Sequence, residues 1–267
     1  MTRNALCLLL ASLSGLGYAQ TTLRLNLQQG KTYTYVTETT MAQQSSSTTQ
    51  RITQAVKVTS KKGDRYKMSV SVVDAKVSAK AGTPMANQAK QIENQLKSMK
   101  FTADYGLRGN SQGAPTFSGA GSQAQQMMGG MAAMNMGFMG MEFPQAPVKV
   151  GSSWTTTMDL AKMMKASGLP ASVVVTGGPL LVKYTLKGLN GKAANIAYTI
   201  SGKVNMSITN PQNNQKLNMA MSMAGNGISV VDVATGLQRT NTSNTTMNMS
   251  GPASMTQKIT TKMTLKG

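Results

Sequence analysis

Ile196-Ala197-Tyr198-Thr199-Ile200-Ser201-Gly202-Lys203-Val204-Asn205-Met206-Ser207-Ile208 alternates apolar with small or polar residues along its whole length. Ile196, Tyr198, Ile200, Val204, Met206 and Ile208 therefore share one face, the signature of a strand with one side buried. Fourteen or so residues of strand reach roughly 45 Å at about 3.3 Å each, which predicts an unusually long sheet. Ahead of this stretch Leu180, Val182, Tyr184 and Leu186 alternate in the same way, and Asn190-Gly191 is a hairpin turn signal. After it, residues 211–214 turn the chain back into Leu217, Met219, Met221 and Met223. Three more strands are predicted: 228–233, 237–249 after the Thr235-Gly236 turn, and 259–265.

The first half repeats the pattern. Leu23, Leu25 and Leu27 alternate, followed by Tyr33 and Tyr35, a polar run at 43–50, and a strand through Val56 and Val58. Lys61-Lys62-Gly63-Asp64 makes a hairpin, and the returning strand carries Tyr66, Met68, Val70 and Val72 on one face. Its phase then shifts to Val73, Ala75 and Val77, as a β-bulge requires. A helix follows over 84–99, with Thr83 as N-cap, Pro84 at its first position, and an apolar side of Met85, Ala89, Ile92, Leu96 and Met99. Its other side carries Lys90, Glu93 and Lys97, so it should lie on a sheet. Residues 109–141 collapse into Gly, Ser, Ala, Gln and Met, a flexible segment or a loosely held helix. A second short helix is predicted over 159–167, closed by Gly168 and Pro170. The fold class is α+β, mainly β: one long curved, half-barrel-like antiparallel sheet with one or two short helices packed on it.

Residues 1–19 read as a secretory signal: Arg3, an apolar stretch, then Gly17-Tyr18-Ala19 with small residues where a signal peptidase checks. The rest, 20–267, is then a single exported domain, periplasmic or extracellular. The only cysteine, Cys7, falls within the signal, so the mature protein relies on its core without a disulfide. No later stretch approaches the ~18 consecutive apolar residues of a membrane span. Loss of Arg3 leaves 26 of the 27 basic residues against 8 acidic ones, a formal charge of +18. That charge attracts anionic partners such as an envelope polymer or lipid headgroups. Aromatic residues are 4% and the lysines are scattered, which argues against nucleic acid.

Enzyme chemistry is poorly provided for. The chain has no histidine, so Ser-His-Asp and Cys-His nucleophiles are excluded. Its eight carboxylates, Glu38, Asp64, Asp74, Glu93, Asp104, Glu142, Asp159 and Asp232, are spread singly along the chain, and Asp232 before Thr235-Gly236 reads as turn chemistry. No cofactor is implied, and the expected class is a non-enzymatic envelope protein.

Methionine is the distinctive residue type, 23 in all. Met127, Met128, Met131, Met134, Met136, Met139 and Met141 crowd one segment, and Met219, Met221 and Met223 line one strand face. Unbranched thioethers adapt to irregular apolar shapes, so these residues are candidate contacts for a lipid-like or other apolar ligand, with the segment as a lid. Alternatively Met131, Met134 and Met136 offer soft ligands to Cu(I). The third alternative is a methionine-filled core in a structural or interaction protein without a small-molecule ligand.

Three segments carry a family resemblance. These are Leu23-x-Leu25-x-Leu27-x-x-Gly30-x-x-Tyr33-x-Tyr35, Phe143-Pro144-x-x-Pro147-Val148-Lys149-Val150-Gly151-x-Ser153-Trp154 and Asp232-x-x-Thr235-Gly236-Leu237. They resemble an uncharacterised family of exported bacterial β-rich domains. The resemblance implies export and a β-rich fold, and assigns no active or binding residue. The long helix-bearing sheet is also similar in outline to half-barrel lipoprotein carriers of the bacterial envelope.

Overall fold

The structure, a computed structural model, describes residues 20–43, 46–113, 115–118, 141–159, 172–209, 215–251 and 254–266. The alternating segments form twelve strands: β1 Thr32–Gln43, β2 Ser46–Lys62, β3 Arg65–Ala79, β4 Lys100–Gly106, β5 Thr116–Ser118, β6 Ser153–Met158, β7 Val173–Gly177, β8 Leu180–Asn190, β9 Ala193–Thr209, β10 Lys216–Asp232, β11 Gln238–Ser250 and β12 Met255–Lys266. All pair antiparallel in one sheet of order β5-β4-β3-β2-β1-β12-β11-β10-β9-β8-β6, with β7 continuing the line of β8 along β9. Helix α1, Pro84–Lys97, packs on β3 through Leu96, with Ala89 and Ile92 beside it. Thr83 caps it as expected, its hydroxyl accepting from the Ala86 amide. The predicted helix over 159–167 and turn at 211–214 fall largely or wholly outside the described residues.

Several predicted details are corrected. Val73 does not join the buried face: it is 61% exposed, while Val72, Ala75 and Val77 are buried. The register slips between Thr53 and Gln54 opposite this point, so Val73 is the residue extruded by the bulge. The two strands predicted at 217–223 and 228–233 are one, running without interruption through Gly225 and Gly227. Those glycines leave room for neighbours: a Cβ at Gly227 would strike the Tyr198 ring, and one at Gly225 would lie 2.6 Å from the Thr245 hydroxyl.

Leu23, Leu25 and Leu27 are buried as their alternation requires, yet they belong to no strand. This segment is a plug at one end of the sheet. The Leu25 amide donates to the Leu107 carbonyl beyond β4 (2.7 Å), and the Asn26 amide donates to Thr235 between β10 and β11 (2.9 Å). A strap at residues 141–148 completes the closure. The Phe143 amide donates to the Arg108 carbonyl (2.7 Å), Arg108 Nε donates back to the Phe143 carbonyl (2.8 Å), and the Trp154 indole N–H donates to the Glu142 carbonyl (2.8 Å). Arg108 follows β4 and Trp154 lies on β6, so the strap ties together the two borders of the sheet. One core cluster accordingly unites Phe101 and Tyr105 of β4 with Val182 and Tyr184 of β8 around Leu25 and Phe143.

Asp232 is confirmed as turn chemistry. Its carboxylate accepts from the amides of Ala234 and Thr235 (both 3.0 Å), from the Thr235 hydroxyl (3.1 Å) and from Arg239. Burial pushes its pKa up, but the Arg239 and Thr235 bonds outweigh burial and hold it below the usual carboxylate value. A depressed folded-state pKa contributes stability that is complete above about pH 4 and fades as pH falls through the folded value. Asp232→Asn should therefore be destabilised at pH 7, with the gap from the parent closing below about pH 4 in urea titrations at several pH values. A gap independent of pH would show that the carboxylate charge contributes nothing.

Candidate functional site

Opposite the plug, the inward face of β9 to β12 is a field of methionines. Met206 faces Met219 across β9 and β10, Met223 faces Met247 across β10 and β11, and Met221, Met249 and Met255 stand in one cross-strand row over β10, β11 and β12. Met221 and Met247 are buried with Val175, Leu180 and Val204, while Met206, Met219, Met223 and Met249 are half-buried around them. Gly202 makes this packing possible, because a Cβ there would collide with Leu180. A shallow depression of about 370 Å³ lies at the strand ends behind the field, lined mainly by the outward-facing Val174, Thr176, Asn205, Ser207, Asn218 and Ala220. A second, of about 850 Å³, lies at the same end of the sheet and is also lined mostly from the outward face, by Ala42, Ser47, Ser78, Thr256 and Lys258 with Lys80.

Of the candidate residues, Met219, Met221 and Met223 are brought together as expected, and the structure adds Met206, Met247, Met249 and Met255 to them. Met141 is placed elsewhere: it is buried in the plug-end core beside Phe143, away from the strand methionines. Met127, Met128, Met131, Met134, Met136 and Met139 lie outside the described residues.

Between the methionine field and the plug the inward face turns polar. Thr39, Thr48, Gln50, Ser229 and Asn241 are all buried there. The Tyr198 hydroxyl donates to Asn241 Oδ1 (2.9 Å), and burial raises the pKa of that phenol, keeping it neutral and a donor. Gln50 Oε1 finds no hydrogen-bond partner among the described residues. Apart from Lys61 at the β2–β3 turn, no inward-facing strand residue among the described residues carries a charge.

No family model and no curated protein matches the sequence. Two solved structures are similar in chain course. A lipovitellin chain, from a structure titled for its lipid–protein interactions, aligns at 11% identity with a TM-score of 0.49, covering 91% of this chain and 26% of that one. The β domain of the Bordetella autotransporter Brka aligns at 8% identity with a TM-score of 0.27, covering 89% and 99%. The chain spans about a quarter of the lipovitellin chain. At these scores neither likeness assigns a function.

Among the described residues no three His, Cys, Asp or Glu side chains gather into a metal site. Four carboxylates are each held by a cation: Asp74 by Lys97 (3.1 Å), Glu93 by Lys90 (3.5 Å), Glu142 by Arg108 (2.8 Å), and Asp232 by Arg239. The buried polar stripe was missed in the sequence because Thr and Gln on β1 and β2 read as solvent-facing; their alternation with Glu38 and Arg51 was the available signal.

Proposed function

We propose that the protein is a non-enzymatic, exported binding protein whose half-barrel sheet takes an apolar, lipid-like ligand at its methionine end. The observation that carries this reading is an inward strand face that bears no charge beyond Lys61 and ends in a cluster of buried and half-buried methionines. An uncharged wall suits an acyl chain, which loses nothing on leaving water, and unbranched thioethers adapt to its changing shape. The same wall offers no acid–base group, in keeping with a carrier rather than a catalyst.

Soft-metal binding is a second reading, favoured by the single row Met221, Met249 and Met255. Directly opposed Cβ atoms are about 5 Å apart, so three thioethers on that row can lean toward one Cu(I).

One set of variants separates the two. Met219→Lys with Met223→Lys places charge on half-exposed positions and should weaken binding of the fluorescent fatty acid parinaric acid at least ten-fold. Met221→Leu, Met249→Leu and Met255→Leu together keep apolar volume, and should preserve parinaric acid binding while removing any Cu(I) binding measured against a chelator. Absence of saturable parinaric acid binding by the parent, or equal binding by the folded lysine variant, overturns the carrier reading.

A further inference from the structure

The sheet's outward face is chemically opposite to its inward one. Lys258, Lys262 and Lys266 recur every fourth residue along β12, all exposed and all outward, about 13 Å apart. Directly across β1 from Lys262 lies Arg51 of β2, and beside it Lys76 of β3, giving the row Lys76, Arg51, Glu38, Lys262. Arg51 and Lys76 are like charges directly opposed, an arrangement that costs stability in a free sheet. None of these cations is in an ion pair among the described residues, although Glu38 stands between Arg51 and Lys262. The nearby Asp74 is occupied by Lys97. Hydroxyls fill the spaces between the cations: Thr34, Thr40, Thr49, Thr53, Thr260 and Thr264 share this face, and Thr40 bonds Thr49 across the strands (3.1 Å).

We propose that the outward face of β1, β2, β3 and β12 is the docking surface for a linear acidic polysaccharide. Repeated cations spaced along a strand match a chain with repeated anionic groups, and the threonine rows supply hydrogen-bond partners for sugar hydroxyls. The described aromatic side chains of these strands, Tyr33, Tyr35 and Tyr66, belong to the inward core cluster or pack against it, so the face has no platform for nucleobases. Its exposed apolar residues are isolated, Val73 among them, so it has no wedge for a bilayer. This surface is separate from the methionine field, and the proposal stands independently of the lipid reading.

The test uses polygalacturonate as the probe. Lys258→Thr, Lys262→Thr and Lys266→Thr together should weaken binding at least ten-fold and reduce the slope of log Kd against log salt by about two to three, through fewer displaced counterions. A charge-matched variant, Lys183→Thr, Lys187→Thr and Lys203→Thr on β8 and β9, should change the affinity less than two-fold. Far-ultraviolet circular dichroism and the melting temperature serve as fold controls for both. Equal losses in the two variants would reduce the effect to net charge and overturn the assignment. Failure of the parent to bind polygalacturonate, or tighter binding of phosphatidylglycerol vesicles or single-stranded DNA by this same face, would overturn it as well.

Discussion

Replacing Gly236 by alanine is expected to destabilise the protein by about 3–5 kcal/mol, from backbone strain and partial loss of the leucine plug. Gly236 has φ +71°, in the left-handed region, and a Cβ there would run into the Arg24 carbonyl oxygen and lie 2.9 Å from the Leu25 nitrogen. Both obstacles are backbone atoms of the plug, so relief requires moving the buried Leu23, Leu25 and Leu27. In a chain of this size the melting temperature should fall by about 6–15 °C in circular dichroism. Gly30→Ala is the matched control: φ is +84° but nothing lies within 4 Å of its Cβ, so only the conformational cost of about 1–2 kcal/mol applies. Equal shifts at the two positions would show that the plug is not seated against the β10–β11 turn.

Phe143→Ala should cost about 3–5 kcal/mol in urea unfolding, the usual range for deleting a buried aromatic ring. Phe143 is 1% exposed at the centre of the plug-end core. Its backbone remains tied to Arg108 in the variant, so the strap stays in place over a void instead of refilling it. The single tryptophan reports the change, because Trp154 bonds the neighbouring Glu142 carbonyl and stacks on Tyr184 (5.3 Å between centroids). Its emission should shift to the red. Phe143→Leu, which preserves most of the volume, should cost less than about 1.5 kcal/mol, and a similar loss for Leu and Ala would point to ring contacts in place of packing.

Period-two alternation made most strands legible because each long strand has one face nearly free of charge. What alternation does not encode is where backbone groups bond. Leu23, Leu25 and Leu27 therefore read as a strand when they form an extended plug held by isolated amide bonds. At Val72 and Val73 the phase shift was visible, but two valines in succession gave no clue which one the bulge would extrude. Gly225 and Gly227 read as a break because glycine punctuates chains, whereas here they admit Tyr198 and Thr245 within one strand. For the candidate site, the sequence picked out three strand methionines; the rest of the field depends on registers between β9, β10, β11 and β12 that only the paired sheet supplies.

The strand order carries a consequence for the timing of folding. β1 pairs with β12, Tyr35 facing Leu265 and Thr37 facing Met263, so the sheet's central seam joins its first strand to its twelfth. While the polypeptide emerges from N- to C-terminus, β1 to β3 can zip by local hairpins with β4 added through α1, and β8 to β11 zip likewise, but among the described residues the two blocks share no ladder until β12 arrives. Until then β1 presents a long unpaired border, and such borders invite pairing with other chains. Closing that seam is an event of maximal sequence separation, which makes it intrinsically slow. A nascent chain of this protein is therefore vulnerable until β12 has been made, and guarding that border is a task for whatever escorts it.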